Sequence, residues 1–287
     1  MLPYCDLHTH STCSDGKLTL QQLTDQARRC GIGVLAPTDH NVVSDLTALR
    51  RDNPDMILID GTEASCRYVD LTGKVQQVHI VGLGFDPAHP AIRRLAALCN
   101  PDRTPYNQAQ LDALEKIGIH IGTLEEMRLR WQGRQQLGTR QFAEDLVRFG
   151  YASSVQDAYD RILGYEGIAR VKNQLKYPEL EAVVKLILEG GGIPVLAHLP
   201  YYGMDDRDNH HLAGIFKELT GPDGAMETEY AEYPPAIREQ LRWEYAQPLG
   251  LMESCASDFH GVGLNESDRL DHGFPREQFA PLLERLV

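Results

Sequence analysis

The sequence predicts an α/β fold interrupted by an all-helical insertion, and two observations carry that prediction. Short apolar runs recur along the chain, each closing on a polar residue and followed by a helical or loop stretch before the next run. This is how parallel α/β units behave, with chemistry gathered at the carboxyl ends of strands. Between residues 99 and 177 the rhythm stops: the segment reads as helices alone, close to neutral, whereas the rest of the chain carries the acidic excess. On this pattern residues 1–98 and 178–287 form one discontinuous domain, and 99–177 form an inserted helical subdomain.

The elements follow in order. Leu2 to Cys5 is a short apolar strand start that feeds Asp6-Leu7-His8-Thr9-His10. Thr19 to Cys30 reads as a helix, with Thr19 as N-cap and Gln22 at the capping-box spacing; Leu20, Leu23, Ala27 and Cys30 form its apolar stripe and Gly31 stops it. Gly33 to Pro37 is a buried-strand pattern ending in Thr38-Asp39-His40, and a short helix is expected near Ser44 to Arg51. Met56 to Asp60 is a third strand, ending in Gly61-Thr62-Glu63; after a polar turn at 70–74, Val75 to Phe85 is a fourth, carrying His79. The insertion offers helices at Gln108–Ile117, Leu124–Trp131 and Thr139–Phe149, the last with Thr139 as N-cap. A helix then starts at Pro178 and ends in the Gly190-Gly191-Gly192 run. Ile193 to Ala197, ending in His198, Gly224 to Glu227, and Leu249 to Ala256, ending in Ser257-Asp258-Phe259-His260, bring the strand candidates to seven.

Composition narrows the function. A net charge of −13 argues against tight binding to double-stranded nucleic acid, which needs clustered Lys and Arg to displace counterions. No apolar run approaches the roughly 20 residues that span a bilayer, and no secretory signal pattern is visible, so a cytoplasmic location with no membrane partner is expected. The six cysteines are scattered without a C-x-x-C pair, as expected of free thiols in a reducing compartment.

Nine potential ligands fall at or just after the expected strand ends: His8, His10, Asp15, His40, Glu63, His79, His198, Asp258 and His260. Side chains at i and i+2 of a strand share a face, so His8 and His10 project together, and imidazole is a strong ligand for zinc, iron or manganese. Each residue alone has an ordinary explanation as a core-edge histidine, a cap or an ion-pair partner. Jointly they exceed what one tetrahedral zinc can use and imply two or three ions. Paired ions about 3.5–4 Å apart clamp the attacking and leaving oxygens of a phosphoryl displacement.

At these residues the sequence resembles the PHP family, the polymerase-and-histidinol-phosphatase group of metal-dependent phosphoesterases. Asp6-Leu7-His8-Thr9-His10-Ser11 is similar to its first motif and Thr38-Asp39-His40 to its second. Gly61-Thr62-Glu63 with His79-Ile80-Val81-Gly82 resembles the third, and Ala197-His198 with Ser257-Asp258-Phe259-His260-Gly261 the last. The resemblance spans nearly the whole chain and points to the stand-alone subgroup with a helical insertion. It implies a distorted seven-stranded (β/α) barrel, a cap over the active site made by 99–177, and a trinuclear site of manganese, iron or zinc. His8, His10, Glu63 and Asp258 would hold one metal; Asp15, His40 and His260 a second; Glu63, as a bridge, with His79 and His198 the third. It also implies hydrolysis of phosphomonoesters of nucleotides or related small phosphorylated molecules, such as 3′,5′-bisphosphates or the 5′ ends of short RNA. A metal-bound water, held by Glu63, Asp258 and His260, would attack phosphorus.

One departure concerns the substrate. The subgroup carries an Arg-x-His pair at the start of the insertion's long helix, where this sequence has Thr139 and Gln141 with Arg140 between them. Arg134, Arg140 and Lys172 are the candidates to hold the phosphate instead. Two rival functions stay open on sequence: an amidohydrolase-type metal-dependent hydrolase, which also begins with H-x-H, and a non-catalytic metal-binding scaffold. The paired Asp258-x-His260 favours the phosphoesterase over the first.

Overall fold

The computed structural model describes residues 2–131, 137–164, 166–172, 176–261 and 269–287. Contacts divide the chain into two compact units, Met1–Asn100 with Tyr177–Val287, and Pro101–Lys176.

The first unit is a mixed α/β structure with eight strands among the described residues. They are β1 (Tyr4–Thr9), β2 (Ile32–Pro37), β3 (Ile57–Leu58), β4 (Gly61–Val69), β5 (Val75–Leu83), β6 (Ile193–Leu196), β7 (Ala225–Tyr230) and β8 (Met252–Ala256). Hydrogen-bonded ladders assemble them into two sheets, ordered β1-β2-β3 and β4-β5-β6-β7-β8. Pairing is parallel within the first sheet and along β6-β7-β8, and antiparallel at β4-β5 and β5-β6. Single bridges, Thr9–Phe259 and His40–Glu63, connect the two sheets. One apolar cluster draws on both: Cys5 and Leu7, Val34 and Ala36, Val81 and Leu83, Val195, Ala225 and Cys255 pack with Phe279, Leu282 and Leu283 of the C-terminal segment.

The helices of this unit form for local reasons. In α1 (Leu20–Arg29) the Thr19 hydroxyl accepts from Gln22 N while Gln22 Oε1 accepts from Thr19 N, a reciprocal cap. Leu23 and Ala27 are its buried stripe, and Gly31, at φ +80°, turns the chain out of the helix. After α2 (Thr47–Asp52) comes α3 (Pro90–Cys99), which follows β5 and is capped by His89. The chain leaves for the second unit and re-enters ahead of α8 (Leu180–Glu189), so α3 and α8 flank the excursion in sequence; they pack on one another through Ile92, Leu95, Val183 and Ile187. The apolar residues of α9 (Asp206–Thr220), Leu212, Ala213 and Phe216, join the same cluster.

The second unit holds α4 (Thr104–Lys116), α5 (Leu124–Arg130), α6 (Thr139–Arg148) and α7 (Val155–Ala158), the last continued by a π-type turn, around its own core of Leu114, Met127, Phe142, Leu146 and Ile162. Arg130 reaches into it to pair Asp145, which is fully buried, at 2.9 Å.

Three differences from the sequence reading have physical causes. Gly61–Val69 forms a strand that the sequence reading took for a strand end and a loop. Its polar Thr62, Glu63, Ser65 and Arg67 hide the apolar pattern, and it is held as a hairpin with β5. Asp70 makes the turn, its Oδ1 accepting from Thr72 N, the Thr72 hydroxyl and Lys74 N at 3.0, 2.6 and 2.9 Å. The N-cap of α6 is Gly138, not Thr139; Gln141 Oε1 turns back to accept from Gly138 N at 2.7 Å. The helix expected from Pro178 starts at Leu180, after Pro178 O has accepted Arg67 N beside the β4 edge. Among the described residues no helix is long and apolar enough to cross a membrane.

Candidate metal centre

All nine side chains singled out in the sequence converge in the first unit. His8 lies in β1 and His10 just beyond it; their Nε2 atoms stand 3.1 Å apart and both residues are fully buried. The β1–β2 register shifts between Asp6 and Thr9, the stretch that carries His8, and such irregularities re-aim side chains next to sites. The end of β1 is stitched to the segment after β8: Asp258 N donates to His8 O and His10 N to Phe259 O, at 3.0 and 2.9 Å. That stitching delivers Asp258 and His260. His40 follows β2, and His198 follows β6. Glu63 and His79 arrive differently. Glu63 is the third residue of β4, and His79 sits mid-strand in β5, because the two strands are an antiparallel hairpin rather than successive parallel units.

Glu63 is the hub. Its Oε1 lies 2.6 Å from His79 Nδ1 and 2.8 Å from His198 Nε2. Its Oε2 lies 2.7 Å from His40 Nδ1 and 3.4 Å from Nε2 of both His8 and His10. Asp258 Oδ1 stands 3.0 Å from His10 Nε2 and 3.5 Å from His8 Nε2. On the other side of His10, Asp15 approaches His260 Nε2 at 3.3 Å and His40 Nε2 at 3.8 Å, and the His10 and His260 rings stack at 4.1 Å. Among the described residues three sets of ligand atoms are close enough to share an ion: His10, Asp15, His40 and His260; His8, His10 and Glu63; and His40, Glu63 and His79; Asp258 and His198 border these sets without belonging to one. Relative to the division implied by the resemblance, His10 and His40 each reach into a second set.

The donor set suits cations. Glu63 Oε2, Asp258 Oδ1 and His198 Nδ1 are buried without a hydrogen-bond partner, although imidazole nitrogens crowd both carboxylate oxygens. Atoms that approach without hydrogen-bond alignment are what ligands converging on a common ion present. Burial opposes ionisation of Glu63, but the neighbouring His40, His79 and His8 charges win and hold it well below the usual carboxylate range. Asp258 and Asp15 are likewise held low against burial, chiefly by His8 with His260 and by His260 with His40. Burial, then His260 and His40, push His10 down to about 4, and burial lowers His79, whereas the surrounding carboxylates outweigh burial and raise His8, His198 and His40, the last to about 10, so an arriving cation would displace protons from those three rings. Ionised carboxylates and neutral imidazole are the ligating forms.

The surroundings fix these side chains, and here the sequence reading missed residues. Glu227, buried in β7, places Oε1 2.7 Å from His8 Nδ1 and accepts His198 N on Oε2 at 2.7 Å. Its place at the end of the run from Gly224 to Glu227 was the available signal, although its partners could not be read from it. Asp39 accepts from the backbone N and hydroxyl of both Ser11 and Ser14, at 2.6–2.9 Å, and so pins the loop that carries Asp15. Tyr230 donates to Asp258 Oδ2 at 2.7 Å. The backbone is strained where it serves the site: His198 and Asp258 have φ of +28° and +53°, a region that costs a non-glycine residue energy and is held only by its surroundings.

Of the residues expected to hold phosphate, Arg140 belongs to the second unit, part-buried on α6 and 3.4 Å from Glu144 Oε1. Lys172 is exposed, and Arg134 lies outside the described residues.

The chain is 34% identical over 263 residues to the 5′-3′ exoribonuclease Rnm of Escherichia coli (strain K12), across 89% of this chain and 84% of that protein. It is 30% identical over 265 residues to the 3′,5′-nucleoside bisphosphate phosphatase of Chromobacterium violaceum, across 90% and 87%. Its fold superposes with a TM-score of 0.78 and 28% identity on a structure described as an amidohydrolase from Chromobacterium violaceum with bound sulfate and no metal, over 96% of each chain. No family model matches.

Proposed function

The chain belongs to the PHP family of metal-dependent phosphoesterases, and from that premise we propose that it removes phosphate from nucleotides, as 3′,5′-bisphosphates or at the 5′ ends of short RNA, with two or three divalent ions. The observation that carries the reading is Glu63, whose two oxygens face different imidazoles and so suit a carboxylate that bridges ions. Manganese, iron or zinc, when bound, would supply a nucleophile from water and neutralise charge developing on the phosphoryl oxygens.

The chain's own residues do the rest. Glu227 sets the His8 ring so that Nε2 faces the centre, and Tyr230 orients the Asp258 carboxylate. Asp39 keeps the Ser11–Ser14 loop, and with it Asp15, against His260. In this reading the two sheets are parts of one distorted barrel, an arrangement supported by the bridges at Thr9–Phe259 and His40–Glu63 and by the shared apolar cluster. Arg140 and Lys172, with Arg134, are the insertion's candidates for gripping the phosphate; Gln141, where the subgroup has His, is committed to capping α6.

The test is a substrate panel on protein loaded in turn with manganese, iron and zinc. Phosphate release from nucleoside 3′,5′-bisphosphates, or release of mononucleotides from the 5′ end of short RNA, is expected, with a raised KM in Arg140→Ala. Turnover confined to amides or lactones would favour amidohydrolase chemistry, and bound ions with no turnover at all would favour a scaffold.

A further inference from the structure

Tyr201 is not used by the centre described above, yet it stands at its rim. It belongs to a short 3-10 turn, Leu199–Tyr202, that begins directly after His198 at the carboxyl end of β6. Its ring centroid is 6.2 Å from that of His198, in an edge-on arrangement. Tyr230, which holds Asp258, and Tyr233 support it at 5.3 and 5.5 Å. Its hydroxyl donates to Glu232 Oε2 in the loop after β7, so the ring is fixed at its tip as well as at its base. Even so, half of the residue is exposed. A large aromatic side chain held rigid from two sides and still presented to solvent has a face to offer, one residue's breadth from a metal ligand.

We propose that Tyr201 is the stacking platform for the nucleobase of the substrate, and that it makes this enzyme select phosphate esters that carry a base over equally phosphorylated sugars. The inference rests on the phosphoesterase reading and adds the recognition element that the metal centre cannot supply, since ions grip phosphate and are indifferent to what it is attached to. The spacing suits it. The Tyr201 ring adjoins His198, the residue that would sit at the ions, at a centroid separation of 6.2 Å, so a base attached to a phosphate held there would have a ring within its reach. Stacking is tolerant of base identity because every base has a π face. The platform therefore discriminates nucleotide from sugar phosphate rather than one base from another. Because Glu232 and the two tyrosines already fix the ring, little ordering entropy is lost when a base lands on it.

The experiment compares adenosine 3′,5′-bisphosphate with methyl riboside 3,5-bisphosphate, which keeps the phosphates and lacks the base. Manganese-loaded wild type, Tyr201→Ala and Tyr201→Phe are assayed for turnover and, by calorimetry, for binding. Wild type is expected to prefer the nucleotide, and Tyr201→Ala to shrink the ratio of the two KM values by about 10-fold, the loss lying in KM rather than kcat. Tyr201→Phe keeps the ring and should retain most of the preference. Equal handling of the two compounds by wild type, or an unaltered ratio in Tyr201→Ala, overturns the proposal. Calorimetry separates the two levels of inference. A binding preference that disappears in Tyr201→Ala supports the platform even if neither compound is hydrolysed, whereas hydrolysis without any binding preference removes the platform and leaves the phosphoesterase intact.

Discussion

Glu227 Oε1 and His8 Nδ1 stand 2.7 Å apart, in a pair that is almost wholly buried. The same carboxylate accepts His198 N, so one residue orients ligand-bearing segments that arrive from β1 and β6. The partner of a ligating imidazole fixes its tautomer and raises its basicity.

Glu227→Gln keeps the shape of the side chain but removes the charge. It should weaken metal binding by about 10–100-fold, read as competition with a chromogenic chelator. Unaltered affinity would show that the His8 ring is set by something other than Glu227.

Asp39→Ala should unfasten the Ser11–Ser14 loop. Four donors lose one ionised acceptor in a buried setting, so a loss of about 3 kcal/mol in unfolding free energy is expected by urea titration. Amide exchange at Ser11 and Ser14 should quicken by more than the global change explains. Exchange that tracks global stability alone would mean the loop is held elsewhere.

Arg130→Ala leaves Asp145 buried with, among the described residues, only Arg148, at 3.8 Å, as a paired cation. Breaking a buried pair by removing one partner costs about 3–5 kcal/mol, and replacing both partners by apolar residues is often neutral. The single variant should therefore lower the unfolding midpoint of the helical unit, and adding Asp145→Leu should recover part of it. No recovery would mean that the packing of the Arg130 stem, not charge, was lost.

The Asp70 turn carries a pH signature. Hydrogen bonds from Thr72 above all, then from Gln76 and Lys74, hold its carboxyl down to about 2 from the ordinary 3.8. A depressed carboxyl stabilises the fold above its unfolded pKa and loses that contribution as the pH falls through its folded value. Asp70→Asn should lower the thermal midpoint at pH 7, and the difference from wild type should close as the pH falls from about 4 towards 2. A difference that ignores pH would assign the effect to shape instead of charge.

How much of this was readable beforehand follows from chemistry. The nine candidate ligands stand out because histidine is scarce and six of the eleven sit beside short apolar runs. Glu227 and Asp39 were invisible as partners because an acid among forty-one acquires its role only from what folding brings near it. The capping of α1 was legible from Thr19 and Gln22, since a cap is a local event. The β4–β5 hairpin was not, because strand direction depends on pairing partners and the polar residues of β4 blur the period of two. His79 therefore reaches Glu63 from the middle of β5, across the hairpin, and not from a strand end.

The packing of α3 against α8 has an evolutionary corollary. The helix that leads into the excursion and the helix that follows it already adhere to each other, so the catalytic body has a finished seam at the point of departure. Insertions are tolerated where they interrupt few contacts of the host. A lineage could lengthen, shrink or exchange that excursion as a cassette while the packing of the first unit stays untouched.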